Sequence, residues 1–403
     1  MVDDVSRRNA KLVVAASFFG DFAFVLPIWL LYSTDHLHFS TTLSVVLFTG
    51  VWFVSALFEI PTGALADKWG RKATFMTGNL LLLFYPLAYV FGAPLWLFFP
   101  ILVLGGFGNS LTSGALLPLV HESYEKAGLG KKEYHKFLTK SRTVLFIARA
   151  LSGVVGAWLY TIKPYLPFVG WALAIVCNII IGSKLVEKRS IDTSSTYRAH
   201  IGSALRAIKQ SEMIVVMLAG YITINAVAEA IWTGYQLFYH HDGRSALLIG
   251  LLFSLIAVFS ALASYGVRKL YTRFSPVALL FFSSCLVTVT SFLLYQPNDS
   301  LRLTAIVPMA IASGIMAVTI SAVVQHIIPN KIQSTALSVY SVITYVVYAF
   351  GSLWLGWAYD KFGDATSRRI ILASSVGALF FMALLTLKIT RKNKFRLEEK
   401  EFV

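Results

Sequence analysis

Cysteine is nearly absent from this chain of 403 residues. The two that occur, Cys177 and Cys285, both fall inside apolar runs. A disulfide framework and a cysteine-rich metal site are therefore excluded. Charge is scarce as well. Only 14% of residues are Asp, Glu, Lys or Arg, against roughly a quarter in a soluble domain. No polar stretch is long enough to make a soluble domain of any size. Catalytic signatures are also missing: there is no HExxH, no Ser-His-Asp set and no phosphate loop, and His121, His135 and His326 are scattered. The expectation is a chain that is not an enzyme and carries no cofactor and no metal.

What remains is apolar. Hydrophobic residues make up 57% of the chain, and the mean hydropathy is +0.69. Apolar runs recur end to end, near 10–33, 41–62, 73–93, 95–118, 138–161, 165–186, 213–239, 245–267, 275–296, 301–327, 333–358 and 368–388. Each is long enough to cross a hydrocarbon layer of about 30 Å as a helix. The reading is an all-α integral membrane protein of twelve transmembrane helices. Residues 1–9 are polar and too short for a cleavable signal, so the first helix should be retained.

The formal charge of +15 invites a nucleic-acid partner, but its distribution argues for a lipid bilayer. With the N-terminus inside, the inner loops carry 28 Lys and Arg and the outer loops 6, leaving Arg149 within a span. That asymmetry is the positive-inside rule. It predicts a multi-pass protein of the inner (plasma) membrane with both termini cytoplasmic, and no nucleic-acid binding.

Ionisable residues inside apolar runs are costly and mark candidate sites. Asp21 lies about eleven residues into the first run, close to the midplane at 1.5 Å per residue. It reads as a proton or cation site, or as a neutral acid bonded to another helix. Phe18, Phe19, Phe22 and Phe24 surround it, as an aromatic wall for a lipophilic cation or as lipid-facing rings. Glu59 lies nearer the cytoplasmic interface, where burial costs less, so a structural tie weighs as much as a proton role. Arg149 sits near the midplane of the fifth run and calls for a carboxylate or an anionic substrate. Its shared depth makes it a candidate partner of Asp21 or Glu59.

Residues 187–212 are charged and Ser/Thr-rich, with an amphipathic pattern from Tyr197 to Lys209. They divide the chain into two bundles of six spans, 1–186 and 213–390, followed by a basic tail, 391–403. The bundles are weak repeats of each other. Leu30-Leu31-Tyr32-Ser33-Thr34-Asp35 aligns with Leu237-Phe238-Tyr239-His240-His241-Asp242 at an offset of 207. The same offset carries Asp21 to Ala228, beside Glu229. Glu229 is thus a second proton or substrate candidate, with Asn225 one turn below and Trp232 above. The imidazoles and carboxylates of the outer loops, Asp35-His36-Leu37-His38 and His240-His241-Asp242, can bind a divalent transition metal, or the histidines simply titrate.

Between the second and third runs stands Gly63-xxx-Asp67-Lys68-x-Gly70-Arg71-Lys72. It resembles the loop signature of the major facilitator superfamily of transporters. The fourth run, with Gly105-Gly106-Phe107-Gly108, resembles a motif of the same family, but Leu102 stands where the family has an arginine. In the fifth, Gly153-Val154-Val155-Gly156-Ala157 partly resembles the antiporter signature. The resemblance implies two pseudo-symmetric six-helix bundles and alternating access. Gly63, Asp67, Gly70 and Arg71 would gate, with Glu122 as the partner of Arg71 and Asp67 resting against Ser334 or Thr335. Arg149 would replace the missing fourth-helix arginine. The implied function is proton-coupled export of small amphipathic or cationic compounds by a monomer, as in twelve-helix bacterial drug/proton antiporters. The alternatives are transport of one polar or anionic metabolite, with Arg149 reading the anion, and a lipid flippase.

Overall fold

In a hydrocarbon layer a backbone must satisfy its own hydrogen bonds, and a helix does so within one segment. Every regular element among the described residues is accordingly an α-helix. The computed structural model describes residues 2–187, 212–270, 273–327 and 333–391. The amphipathic pattern at Tyr197–Lys209 and the tail beyond Arg391 lie outside the described residues.

The first part of the chain forms α1 (Val2–Asp21), α2 (Trp29–Asp35), α3 (Thr41–Trp69), α4 (Arg71–Val90), α5 (Leu95–Ser113), α6 (Leu116–Lys126), α7 (Lys131–Ile162) and α8 (Leu166–Lys184). The second forms α9 (Glu212–His241), α10 (Ala246–Leu270), α11 (Pro276–Tyr295), α12 (Asp299–Thr304), α13 (Ile306–Ile327) and α14 (Gln333–Arg391). Among the described residues, ten helical segments are long and apolar enough to cross a membrane. Two features separate this number from the twelve expected. One candidate, Val339–Lys388, is 50 residues long. At 1.5 Å per residue that is about 75 Å, more than two crossings. It is broken at Gly363, whose φ of 74° is one that a side chain disfavours.

The other feature corrects the sequence reading. The run 10–33 was expected to be one continuous helix. Instead α1 stops at Asp21 and α2 starts at Trp29, with turns between. Pro27 supplies no N–H and cannot continue a helix. The backbone closes through short-range bonds, Leu26 N–H to Ala23 O (3.1 Å) and Ile28 N–H to Val25 O (2.9 Å). The Phe24 carbonyl rests on Gly156 of α7, where a Cβ would overlap the oxygen. That close approach is the reason for a glycine at this position.

The chain divides into two compact units. The first holds Met1–Phe39, Val46–Ser195 and Arg244–Ser254. Its aromatic core stacks Tyr89 on Phe168 at 4.6 Å. The Tyr85 hydroxyl donates to Leu47 O at 2.8 Å, and the Tyr32 hydroxyl to Tyr89 O at 3.0 Å. The start of α10 belongs here because Gly250 packs on Gly153 and Ala157 and the Ser254 hydroxyl donates to Ala150 O. The second unit holds Ser40–Val45, Thr196–Gly243 and Leu255–Val403. In it, the Asp360 carboxylate caps the start of α3. It accepts from Thr41 N (2.9 Å), Thr42 N (2.7 Å) and the Thr42 hydroxyl (2.6 Å). Many large apolar side chains are exposed, Phe91, Trp96, Leu262 and Tyr265 among them, as a lipid-facing surface requires.

Candidate functional site

The break after α1 leaves Asp21 as the last residue of that helix. A carboxylate there faces the negative end of the helix dipole and needs a cation. Arg149 of α7 provides it, with Nη2 donating to Asp21 Oδ1 at 2.7 Å. The side chains are 18% exposed for Asp21 and 39% for Arg149. Of the two carboxylates considered for Arg149, the structure pairs it with Asp21. Arg149 Nε is buried and has no acceptor. Asn178 of α8 lies beside Gly20, and its Oδ1 is buried with no donor. An ion pair, an orphaned donor and an orphaned acceptor thus collect in the first unit next to a helix break. Broken helices at membrane depth are where transporters build their binding sites.

The aromatic residues around Asp21 pack on one another. The Phe18 and Phe22 rings lie 4.8 Å apart, and Phe22 and Phe24 4.2 Å. Glu59 sits apart from the ion pair and accepts from the Ser113 hydroxyl at 3.2 Å.

In the second unit Glu229 lies mid-way along α9, with the Asn225 side chain against its carboxyl group. Trp232 lines a small, mainly apolar crevice with Tyr235, Tyr239 and Met309.

Of the gating set, Gly70 precedes α4 and Gly63 lies within α3. Arg71 Nε donates to Glu122 Oε1 at 2.9 Å. The side chains of Asp67, Ser334 and Thr335 lie outside the described residues. Sequence reasoning missed Glu187. Its carboxylate accepts from Arg71 N (2.7 Å) and Lys72 N (3.1 Å) and so caps α4. Lys72 Nζ in turn donates to Ser183 O and Leu185 O.

A second charged cluster was also missed. In the second unit Asp242 pairs with Arg302 and with Arg368, and Arg368 also pairs with Asp364. The Asp242 carboxylate, considered above as a possible outer-loop metal ligand, is occupied by these two guanidinium groups. His36, from the other outer loop, meets the Tyr160 hydroxyl at 3.2 Å.

The model of the Major Facilitator Superfamily matches residues 12–352. The chain belongs to that superfamily. A comparison with curated protein sequences finds no match. Solved structures of superfamily transporters share its fold at low identity. A mutant of the nucleoside transporter NupG superposes with a TM-score of 0.79 at 12% identity, covering 94% of this chain and 99% of that one. A POT family transporter in complex with 5-aminolevulinic acid gives 0.75 at 11%, covering 94% and 96%. A D-xylose-proton symporter gives 0.72 at 15%, covering 94% and 96%. Membership of the superfamily makes this a multi-pass membrane protein with a transporter's fold.

Proposed function

We propose that the protein is a proton-coupled secondary transporter of a small polar solute, working by alternating access. Counting α1 with α2 as one crossing and the two arms of α14 as two gives the twelve crossings of that architecture. The observation that carries the reading is the Asp21–Arg149 pair beside the break in the first helix. A carboxylate held by a guanidinium is a poor seat for a lipophilic cation, because Arg149 repels the cation that Asp21 would attract. It is a good seat for a solute with an anionic or hydrogen-bonding group. Arg149 turns to the solute when a proton neutralises Asp21, and the orphaned Arg149 Nε and Asn178 Oδ1 supply further polar contacts. Proton and solute thereby compete for, or share, one local charge balance. Arg71 with Glu122, and Asp67, form the gate at the inner surface, in a monomer with both termini in the cytoplasm.

A second reading is export of an amphipathic cation. The packed rings of Phe18, Phe22 and Phe24 beside Asp21 favour it.

Proteoliposomes with a pH-sensitive dye trapped inside separate these. Uridine, D-xylose, 5-aminolevulinic acid and tetraphenylphosphonium are added in turn, and solute uptake is followed alongside internal pH. The expected result is proton movement with one of the polar solutes, lost in Asp21→Asn. Proton movement with tetraphenylphosphonium alone favours the export reading. Solute movement with no proton movement overturns the coupling.

A further inference from the structure

In the first unit α7 is longer than a membrane is thick. Its 32 residues run about 48 Å at 1.5 Å per residue, against about 30 Å of hydrocarbon. The apolar stretch, 144–162, takes about 28 Å of this. Residues 131–143 therefore project about 20 Å past the hydrocarbon, at the end that the positive-inside pattern assigns to the cytoplasm. One side of the projection is packed. Phe137 belongs to a buried cluster with Leu119, Val120 and Tyr124, and the Ser141 and Ser17 hydroxyls share a hydrogen bond of 2.6 Å. The other side is open: Lys136, Thr139, Lys140, Arg142 and Thr143 are all exposed.

Depth sorts these side chains. The headgroup layer is about 5–8 Å thick on each side of a bilayer. Counted from Val144, Arg142 lies about 3 Å, Lys140 about 6 Å and Lys136 about 12 Å beyond the hydrocarbon. Lys136 thus stands past the headgroups, and it is paired with Glu133 at 2.6 Å. Arg142 and Lys140 stand at the level of the lipid phosphates. Among the described residues neither has a carboxylate or carbonyl partner. Other inner-end cations of this unit are spent: Arg71 on Glu122, Lys72 on the Ser183 and Leu185 carbonyls, Arg8 on the Lys184 carbonyl. At 100° per residue Thr139 and Thr143 fall between Arg142 and Lys140 on the exposed face. Their short side chains leave room for a phosphate to reach both cations. The face then continues into the hydrocarbon as a track of exposed apolar residues, Ile147, Leu151, Val154 and Trp158, at helical spacings of four, three and four from Thr143.

We infer that this face of α7 is a docking site for one anionic phospholipid of the inner leaflet. Its phosphodiester bridges the Lys140 ammonium and the Arg142 guanidinium through charge-assisted N–H···O bonds. One acyl chain lies along Ile147, Leu151, Val154 and Trp158. A polar notch with two unspent cations suits the headgroup, and an apolar track in line with it suits the tail. A free phosphate would use only the first of these and a neutral lipid only the second. The pull of anionic lipid on any basic segment is general; the alignment of donors and track on one helix face makes this a site.

The test needs no solute. The full chain in detergent micelles is titrated with phosphatidylglycerol or phosphatidylcholine, and the lipid it retains is counted by native mass spectrometry. The expected result is one phosphatidylglycerol held more tightly than phosphatidylcholine. Lys140→Gln combined with Arg142→Gln should weaken it about thirtyfold, a factor of about five for each cation. Lys140→Arg combined with Arg142→Lys keeps both charges and should keep the lipid. Lys132→Gln combined with Lys136→Gln removes the same charge from the same helix, beyond the headgroup layer, and should change nothing. Equal affinity for the two lipids overturns the inference. Equal loss in the Lys132 and Lys136 variant also overturns it, because the attraction then belongs to the whole basic surface. Displacement of the lipid by millimolar inorganic phosphate makes this a free-anion site and overturns the lipid. Thermal unfolding without added lipid should be the same in every variant, since this face packs on nothing. If the Lys140 and Arg142 double variant unfolds early, Lys140→Gln alone takes its place, with a loss of about fivefold expected and wild-type affinity overturning the site. No outcome bears on the transport reading, which the solute experiment judges.

Discussion

Each unit pairs an arginine with an aspartate, and the two arginines are used differently. Arg368, in the second unit, spends its whole guanidinium. Nε donates to Asp364 (2.8 Å), Nη1 to Leu294 O (3.1 Å), and Nη2 to Phe238 O (2.9 Å) and Asp242 (2.9 Å). The Phe238 ring lies against its face at 4.9 Å, and the side chain is 5% exposed. Arg149, in the first unit, makes one bond to Asp21 and keeps a buried Nε with no acceptor. A guanidinium has five donors in a fixed fork. Saturation of that fork locks the ends of α9 and α11 to α14 just past its break at Gly363, and no donor remains for a ligand. Incomplete use of it leaves Arg149 able to exchange partners. The comparison teaches that depth in the membrane is a weaker guide to function than unspent hydrogen-bonding capacity.

The largest effect is expected where saturation is highest. Arg368→Ala takes the arginine from Asp364 and leaves Asp242 with Arg302 alone, and removing one partner of such a buried network costs about 3–5 kcal/mol. Thermal unfolding of the purified protein in detergent should show the loss, together with a poor yield of folded protein. A variant that unfolds at the wild-type temperature would break the comparison at its structural end.

At Arg149 the order of effects should reverse. The pair is partly exposed, so Arg149→Gln and Asp21→Asn should each cost only about 1–2 kcal/mol. Transport should nevertheless fall to background in Arg149→Gln. In Asp21→Asn, solute should still exchange between the two sides of the membrane without moving protons. Solute counterflow and internal pH, measured on the same proteoliposomes, distinguish these two defects. Wild-type transport at every proton gradient in Arg149→Gln would remove this residue from the mechanism.

The contrast also explains which features are legible in the amino-acid sequence and which are not. Asp21, Arg149 and Glu229 stand out because each interrupts an apolar run, where an ionisable side chain needs a reason. Their shared depth is enough to suggest a pairing of Arg149 with Asp21 or Glu59, and the fold chooses Asp21. The architecture of apolar helices follows from composition, and the turn at Gly70 from one motif. Arg302 and Arg368 look like ordinary outer-loop cations, because a charge between two spans costs nothing in sequence terms. Only tertiary packing carries Arg368 to Asp242, 126 positions away. The break at residues 22–28 does leave a trace, Pro27 inside the first run, but a proline alone does not distinguish a kink from a complete stop.

The smallest effect is expected at Glu187, which sharpens the comparison from the acidic side. Its two carboxylate oxygens each accept one backbone N–H at the start of α4, so this anion is as fully used as Arg368. It differs in being held by a helix terminus instead of buried counter-charges. A carboxylate cap is worth about 1 kcal/mol, part of it from the hydrogen bonds and part from the helix dipole. Glu187→Gln keeps one acceptor oxygen and loses the charge, so thermal stability should fall by less than that amount, and the fall should shrink in high salt. Transport should continue at the wild-type rate, because no capacity for a solute or a proton was held in reserve there. Loss of transport without loss of stability in Glu187→Gln would show that a saturated group also takes part in the cycle. The rule drawn from Arg149 and Arg368 would then have to give way to one in which the α4 cap is released and remade as the inner gate moves.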